Sequence, residues 1–197
     1  YGALIAGNYK LAISQYQVLA KENNPVGQYM YGFMHLNGDG VEQNDTTAFK
    51  WIKKSAENFL NKKYDNQSDT NHRIILMQAY WKLGLMYSNG IGTAKNHSKG
   101  LKWTQRAANG GNADAASLVA INYELGLGTE TNLKKSFDYK KLAANGGHVD
   151  SYLRLAWDYF NGEVTEKNLD ESFRWYKLAA ENNVSKSFLS LGLHYIA

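Results

Sequence analysis

A period of 36 residues runs through this sequence, and it constrains the fold more than any other feature. In the stretch Leu83-Gly84-Leu85-Met86-Tyr87-Ser88-Asn89-Gly90-Ile91-Gly92, a shift of 36 lays Tyr123, Gly126 and Gly128 on Tyr87, Gly90 and Gly92. A second shift brings in Tyr159 and Gly162, and a third Gly192 and Tyr195. The other half of the unit keeps the same spacing. Trp103, Tyr139 and Trp175 correspond, as do Ala107-Ala108, Ala143-Ala144 and Ala179-Ala180. An earlier unit matches at a shift of 52, with Gly32, Gly38, Gly40, Trp51 and Ala56 on Gly84, Gly90, Gly92, Trp103 and Ala108. It therefore carries about sixteen additional residues between Ala56 and Gly84. Half a unit, Asn8 to Asn23, precedes it.

Each unit reads as helix, glycine turn, helix. Asn8, Asn44, Asn96, Asn132 and Asn168 share one column, each ahead of an amphipathic run. An N-cap belongs there, because the Asn oxygen accepts from an orphan N–H of the first turn. The Asn-x-Ser/Thr triplets at Asn44, Asn66, Asn96 and Asn183 are better explained by caps and loops than as glycan acceptors. The small column Gly32, Gly84, Ala120, Ala156 and Gly192 lets paired helices approach closely, and Gly-x-Gly suits a left-handed C-cap. Stacked units of this kind bury a continuous core that no single pair buries alone. The expected fold is all-α, a right-handed superhelical α-solenoid of antiparallel helix pairs spanning 1–197 as one domain. Its frame is a half repeat 1–24, repeats 25–72, 73–112, 113–148 and 149–184, and a half repeat 185–197. The additional residues are expected to lengthen two helices by about two turns each, through Phe59, Leu60 and Tyr64 and from Ile74, Ile75 and Gln78, joined by a polar loop at Asp65–His72, with a disordered insertion as the alternative.

Composition removes most chemistry. With no cysteine, disulfides, thiolate metal sites and Cys nucleophiles are excluded. No apolar run approaches the roughly 18 residues of a membrane span. His35, His72, His97, His148 and His194 show no metal-ligand spacing, so no metal or other cofactor is expected. No nucleophile elbow or phosphate loop occurs, and the Gly-x-Gly pairs lack a preceding strand. The formal net charge is +4, and the lysines come mostly in pairs, Lys53-Lys54, Lys134-Lys135 and Lys140-Lys141 among them. Such a spread reads as solvated helix faces and tilts toward an acidic partner. The aromatics fall at periodic core positions rather than in a basic stripe, which argues against nucleic acid.

These residues resemble the Sel1-like repeat family, a relative of the tetratricopeptide solenoids. Its pattern runs close to Ala-x-x-x-Leu-Gly-x-x-Tyr-x-x-Gly-x-Gly-Val, an Asp/Asn cap, then Ala-x-x-Trp-x-x-x-Ala-Ala. Ala79, Leu83, Gly84, Tyr87, Gly90, Gly92, Trp103 and Ala107-Ala108 follow it most closely. Departures are Val119-Ala120 and Leu155-Ala156 for Leu-Gly, Val164 for the second turn glycine, and Tyr139 for Trp. The resemblance implies a non-catalytic scaffold or adaptor that binds protein. An alternative it allows is an immunity protein that neutralises a secreted bacterial toxin or effector enzyme. For a bacterial chain of this type, the periplasm or cell envelope is favoured over the cytoplasm.

First helices of such solenoids line the concave face. Two columns point there: Phe33, Leu85, Ile121, Trp157 and Leu193, and Tyr29, Trp81, Ser117, Leu153 and Leu189. Two readings stay open, that the stripe packs against neighbouring helices or that part of it receives a partner. The candidate anchors are Tyr29, Phe33, Trp81, Leu85, Trp157 and Phe160, with Lys82, Glu124, Arg154, Asn161 and Lys186 as a polar rim. The partner would be a protein, either a peptide segment or a folded enzyme. The sequence begins at Tyr1 rather than Met, which fits a trimmed start. It stops after a first helix at Ala197, with Leu191 and Tyr195 uncapped, so this end is expected to continue or to be covered.

Overall fold

The computed structural model describes residues 8–60 and 70–182. Among them lie nine helices and no strand. They are α1 (Tyr9–Lys21), α2 (Pro25–Asn37), α3 (Asp45–Leu60), α4 (Thr70–Asn89), α5 (His97–Asn109), α6 (Ala113–Leu125), α7 (Leu133–Asn145), α8 (Val149–Asn161) and α9 (Leu169–Glu181). The chain divides into two compact units, Tyr1–Ala107 and Ala108–Ala197. Within each, successive helices pack against one another, so the protein has an all-α repeat fold.

Local chemistry repeats as faithfully as the sequence. Asn8, Asn44, Asn96, Asn132 and Asn168 each accept a backbone N–H three residues on, at 2.8–3.1 Å. Asn24 and Asn112 cap first helices in the same way, at 2.9 and 2.8 Å. His148 holds the matching position before α8 and makes no cap bond. The cap residues also close the glycine turns. The N–H groups of Asn44, Asn96, Asn132 and Asn168 donate to the carbonyls of His35, Tyr87, Tyr123 and Tyr159 at 2.7–2.9 Å. Chain reversal inside that loop needs a left-handed residue, supplied by Gly38, Gly126 and Gly162 at φ 80°, 71° and 71°. Asn23, at φ 66°, is the one non-glycine residue with positive φ among the described residues. Val164 thus takes the second turn-glycine position without left-handed strain.

Small residues set the helix spacing. A Cβ on Gly84 would lie 3.0 Å from the Thr104 nitrogen and 3.1 Å from the Gly100 carbonyl, so α4 and α5 meet backbone to backbone. Ala120 and Ala156 serve the same column in the second unit, both buried. Opposite Ala156, the Ser172 hydroxyl donates to its carbonyl at 2.9 Å.

The additional residues lengthen α4 by about two turns, as expected, and α3 by less than one turn within the described residues. α4 has 20 residues and α3 has 16, where the repeats of the second unit use 13. The loop expectation needs correction. Thr70, Asn71 and His72 form the first turn of α4, because the helix runs back far enough to bury Ile75 and helices persist where tertiary packing supports them. Residues 65–69, Tyr64, the half repeat 185–197 and its expected contributors Lys186, Leu189, Leu191, Leu193, His194 and Tyr195 lie outside the described residues.

Candidate interaction surface

The first unit brings four of the expected site residues to one place. Tyr29 and Phe33, one turn apart on α2, stack at 5.8 Å. Together with Met30 they form one wall of an open groove of about 370 Å³. The other wall is α4, which contributes Ile74, Ile75, Gln78, Trp81 and Lys82. Its outer half exists only because the additional residues extend this helix. The floor is closed by Tyr29, 6% exposed, while Phe33 and Trp81 are half-buried. Lys82 reaches across the opening, its Nζ 5.7 Å from the Phe33 ring centre and 5.4 Å from that of Trp81. Leu85, one turn further along α4, is half-buried and does not line the groove. The Trp81 indole N–H is buried and has no hydrogen-bond partner among the described residues, at a cost of roughly 1–3 kcal/mol.

The second unit presents a smaller aromatic feature. Trp157 is 57% exposed and stacks on Phe160 at 6.2 Å. Lys167 lies over the Phe160 ring at 5.3 Å. Isolated exposed Leu residues need no explanation, but a largely exposed Trp is uncommon in a packed helix pair. Ile121 and Leu153 are half-buried and Ser117 is buried. Packing therefore claims part of each column and leaves part accessible, and neither of the two readings of the stripe holds throughout.

Glu124 and Arg154, expected on the rim, are bound to each other. Arg154 NH2 donates to Glu124 Oε2 at 2.7 Å. The pair borders a charge cluster that the sequence reading missed. Lys140 Nζ donates to Asp158 Oδ2 at 2.9 Å and Oδ1 at 3.2 Å, and stands 3.7 Å from Glu124 Oε2. Lys140 is only 8% exposed, which corrects the reading of the Lys140-Lys141 pair as a solvated face. α7 turns Lys141 outward and Lys140 inward, onto α8. Burial raises the Asp158 carboxyl above its ordinary value, and the Lys140 hydrogen bond and charge partly oppose that rise. The signal was present in the columns. Ile52, Thr104 and Tyr176 share the position of Lys140, and Met34, Met86 and Asn122 that of Asp158. A charge in each of two otherwise uncharged, buried columns marks both residues as needing a partner.

The Sel1 repeat profile matches residues 25–58, 78–112, 113–148 and 149–184. The chain belongs to the Sel1 repeat family. The interval between the first two matches holds the additional residues that lengthen α4. The crystal structure of a Sel1 repeat protein from Oxalobacter formigenes is similar at 26% identity, covering 96% of this chain and 72% of that one, with a TM-score of 0.80. A protective antigen of uropathogenic Escherichia coli strains shares the fold at 22% identity and a TM-score of 0.56, over 95% of this chain and 44% of its own. Sel1 repeat proteins are in general protein-interaction modules. Among the described residues no helix is long and apolar enough to cross a membrane, and no His, Asp and Glu cluster is placed to hold a metal ion.

Proposed function

We propose that this chain is a non-catalytic scaffold or adaptor whose docking site is the α2–α4 groove of the first unit. The observation that carries the reading is the convergence of Tyr29, Phe33, Trp81 and Lys82 on one opening. Large aromatic side chains in a partly desolvated recess, beside a cation, are the composition of an interaction hot spot. A groove of about 370 Å³ lies near the small end of ligand sites, ~300–1,000 Å³. It suits one or two apolar side chains of an extended or helical segment, not a broad flat epitope.

The test is site-directed photocrosslinking in the source cell. Benzoylphenylalanine replaces Phe33 in one variant and exposed Lys50 of α3 in another. The reading expects a discrete adduct, mapped to one partner segment, from the Phe33 position. It also expects Trp81→Ala to weaken that partner's binding about thirtyfold, the scale of a 2 kcal/mol hot spot, with helix content retained. An adduct from position 50 alone, or affinity unchanged by Trp81→Ala, would sink it.

A further inference from the structure

We infer that the α2–α4 groove selects a protein segment carrying carboxylates beside its apolar anchor. The inference rests on the docking role proposed for the groove and adds the class of partner. Three independent observations point the same way.

The walls contain no acid. Neither α2, PVGQYMYGFMHLN, nor α4, TNHRIILMQAYWKLGLMYSN, includes a single Asp or Glu. Over the 13 positions of α2 and the 20 of α4 the only fixed charges are Arg73 and Lys82, both cationic. Lys82 is also uncommitted. Its Nζ contacts two ring faces, and no carboxylate pairs with it among the described residues. An ammonium on aromatic faces keeps N–H donors for an incoming oxygen, and a partly desolvated setting strengthens that attraction. Lastly, the charge is divided unequally. Tyr1–Ala107 holds thirteen Lys and Arg against seven Asp and Glu, a formal +6, whereas Ala108–Ala197 holds nine against eleven, a formal −2. The field around the groove therefore favours approach of an acidic segment.

The same geometry disfavours a cationic ligand. The half-buried Phe33 and Trp81 faces would otherwise receive an ammonium or guanidinium, but Lys82 already occupies both. A basic segment would have to displace it and then face like charge.

The experiment is fluorescence anisotropy on the full chain with short labelled peptides. They share one Trp-Leu anchor and differ in flanks of Asp/Glu, Ser/Asn or Lys, and a single-stranded oligonucleotide is run beside them. We expect the acidic peptide to bind about tenfold tighter than the neutral one, the basic peptide to bind weakest, and added salt to narrow the gap. Lys82→Glu should reverse the order, and Lys82→Gln should bring acidic and neutral peptides together. Equal affinity for acidic and neutral peptides, unmoved by Lys82→Glu, overturns the charge inference and leaves the docking role of the groove intact. Failure of every peptide overturns both. Preference for the oligonucleotide over the acidic peptide overturns the assignment to a protein segment.

Discussion

Replacing Lys140 and Asp158 together should cost far less than the two single replacements added together. Both groups are largely buried, at 10% and 11% side-chain exposure, and meet at 2.9 Å. At an effective dielectric of 20 their gross attraction is about 6 kcal/mol. Desolvation takes back several kcal/mol per ion, so the net worth of the pair is small. Deleting one member is another matter. Lys140→Ile leaves Asp158 buried beside Glu124 with its cation gone, a loss of about 3–5 kcal/mol for a broken buried pair. Asp158→Met should cost somewhat less, because Lys140 retains Glu124 at 3.7 Å. The double variant installs the pair that the first unit already uses, Ile52 and Met86, at 0% and 1% exposure in the same two columns. Lys140→Ile nearly conserves side-chain volume, Asp158→Met enlarges it, and Glu124 and Arg154 keep each other at 2.7 Å. Fitting the longer Met costs about 1–3 kcal/mol, so we expect the double variant within about 3 kcal/mol of the parent, hence a coupling of about 3 kcal/mol or more.

The assay is urea denaturation followed by circular dichroism and tryptophan fluorescence. Coincident transitions are checked first, since repeat arrays can unfold in parts. Acid supplies a second reading. A carboxyl raised in the folded state holds its proton more tightly there than in the unfolded chain. Its contribution is most favourable below the unfolded value of 3.8 and is lost as pH rises through the higher folded value. Lys140→Ile removes the two Lys140 influences that hold Asp158 down, so the raised value climbs further. The deficit of that variant should shrink as pH falls from neutral toward the raised folded value. Additive losses in the double variant, or a pH-independent deficit, would refute the account of this cluster as a costly substitute for an apolar pair.

His148→Asn should raise stability by about 0.5–1 kcal/mol by restoring the missing cap of α8, visible as a higher midpoint, and no gain would mean that the His148–Ser151 contact at 2.9 Å already does the job. Asn132→Ala should cost about 1 kcal/mol through its 2.9 Å cap bond. Gly84→Ala should be among the most damaging single methyl additions, at about 1–3 kcal/mol, because its Cβ would press on the α5 backbone. Gly111→Ala has no neighbour within 4 Å and should lose only about 1 kcal/mol to its φ of 101°; comparable thermal shifts for the two would refute close helix approach as the cause.

The fold was legible because its rules are local and recur. A capping Asn, a left-handed glycine and a small helix-contact residue act within a few positions of themselves, so each repeat restates them, and five cap bonds confirm one column. The groove was legible only in part, because it depends on where the period fails. Tyr29, Phe33, Gln78, Trp81 and Lys82 stand in repeating columns and could be grouped from sequence, whereas Ile74 and Ile75 lie in additional residues that no other unit contains. Column membership also says which side of a helix a residue takes, not what meets it there. Lys140 lies beside Lys141 in sequence and was assigned to solvent with it. Only a comparison down its column, with Ile52, Thr104 and Tyr176, shows that this side of the helix is buried. In a repeat protein the positions that depart from the column are therefore the informative ones. The columns carry the common core, and the departures at the extended α4, at Lys140 and Asp158, and at His148 are where this chain differs from a generic stack.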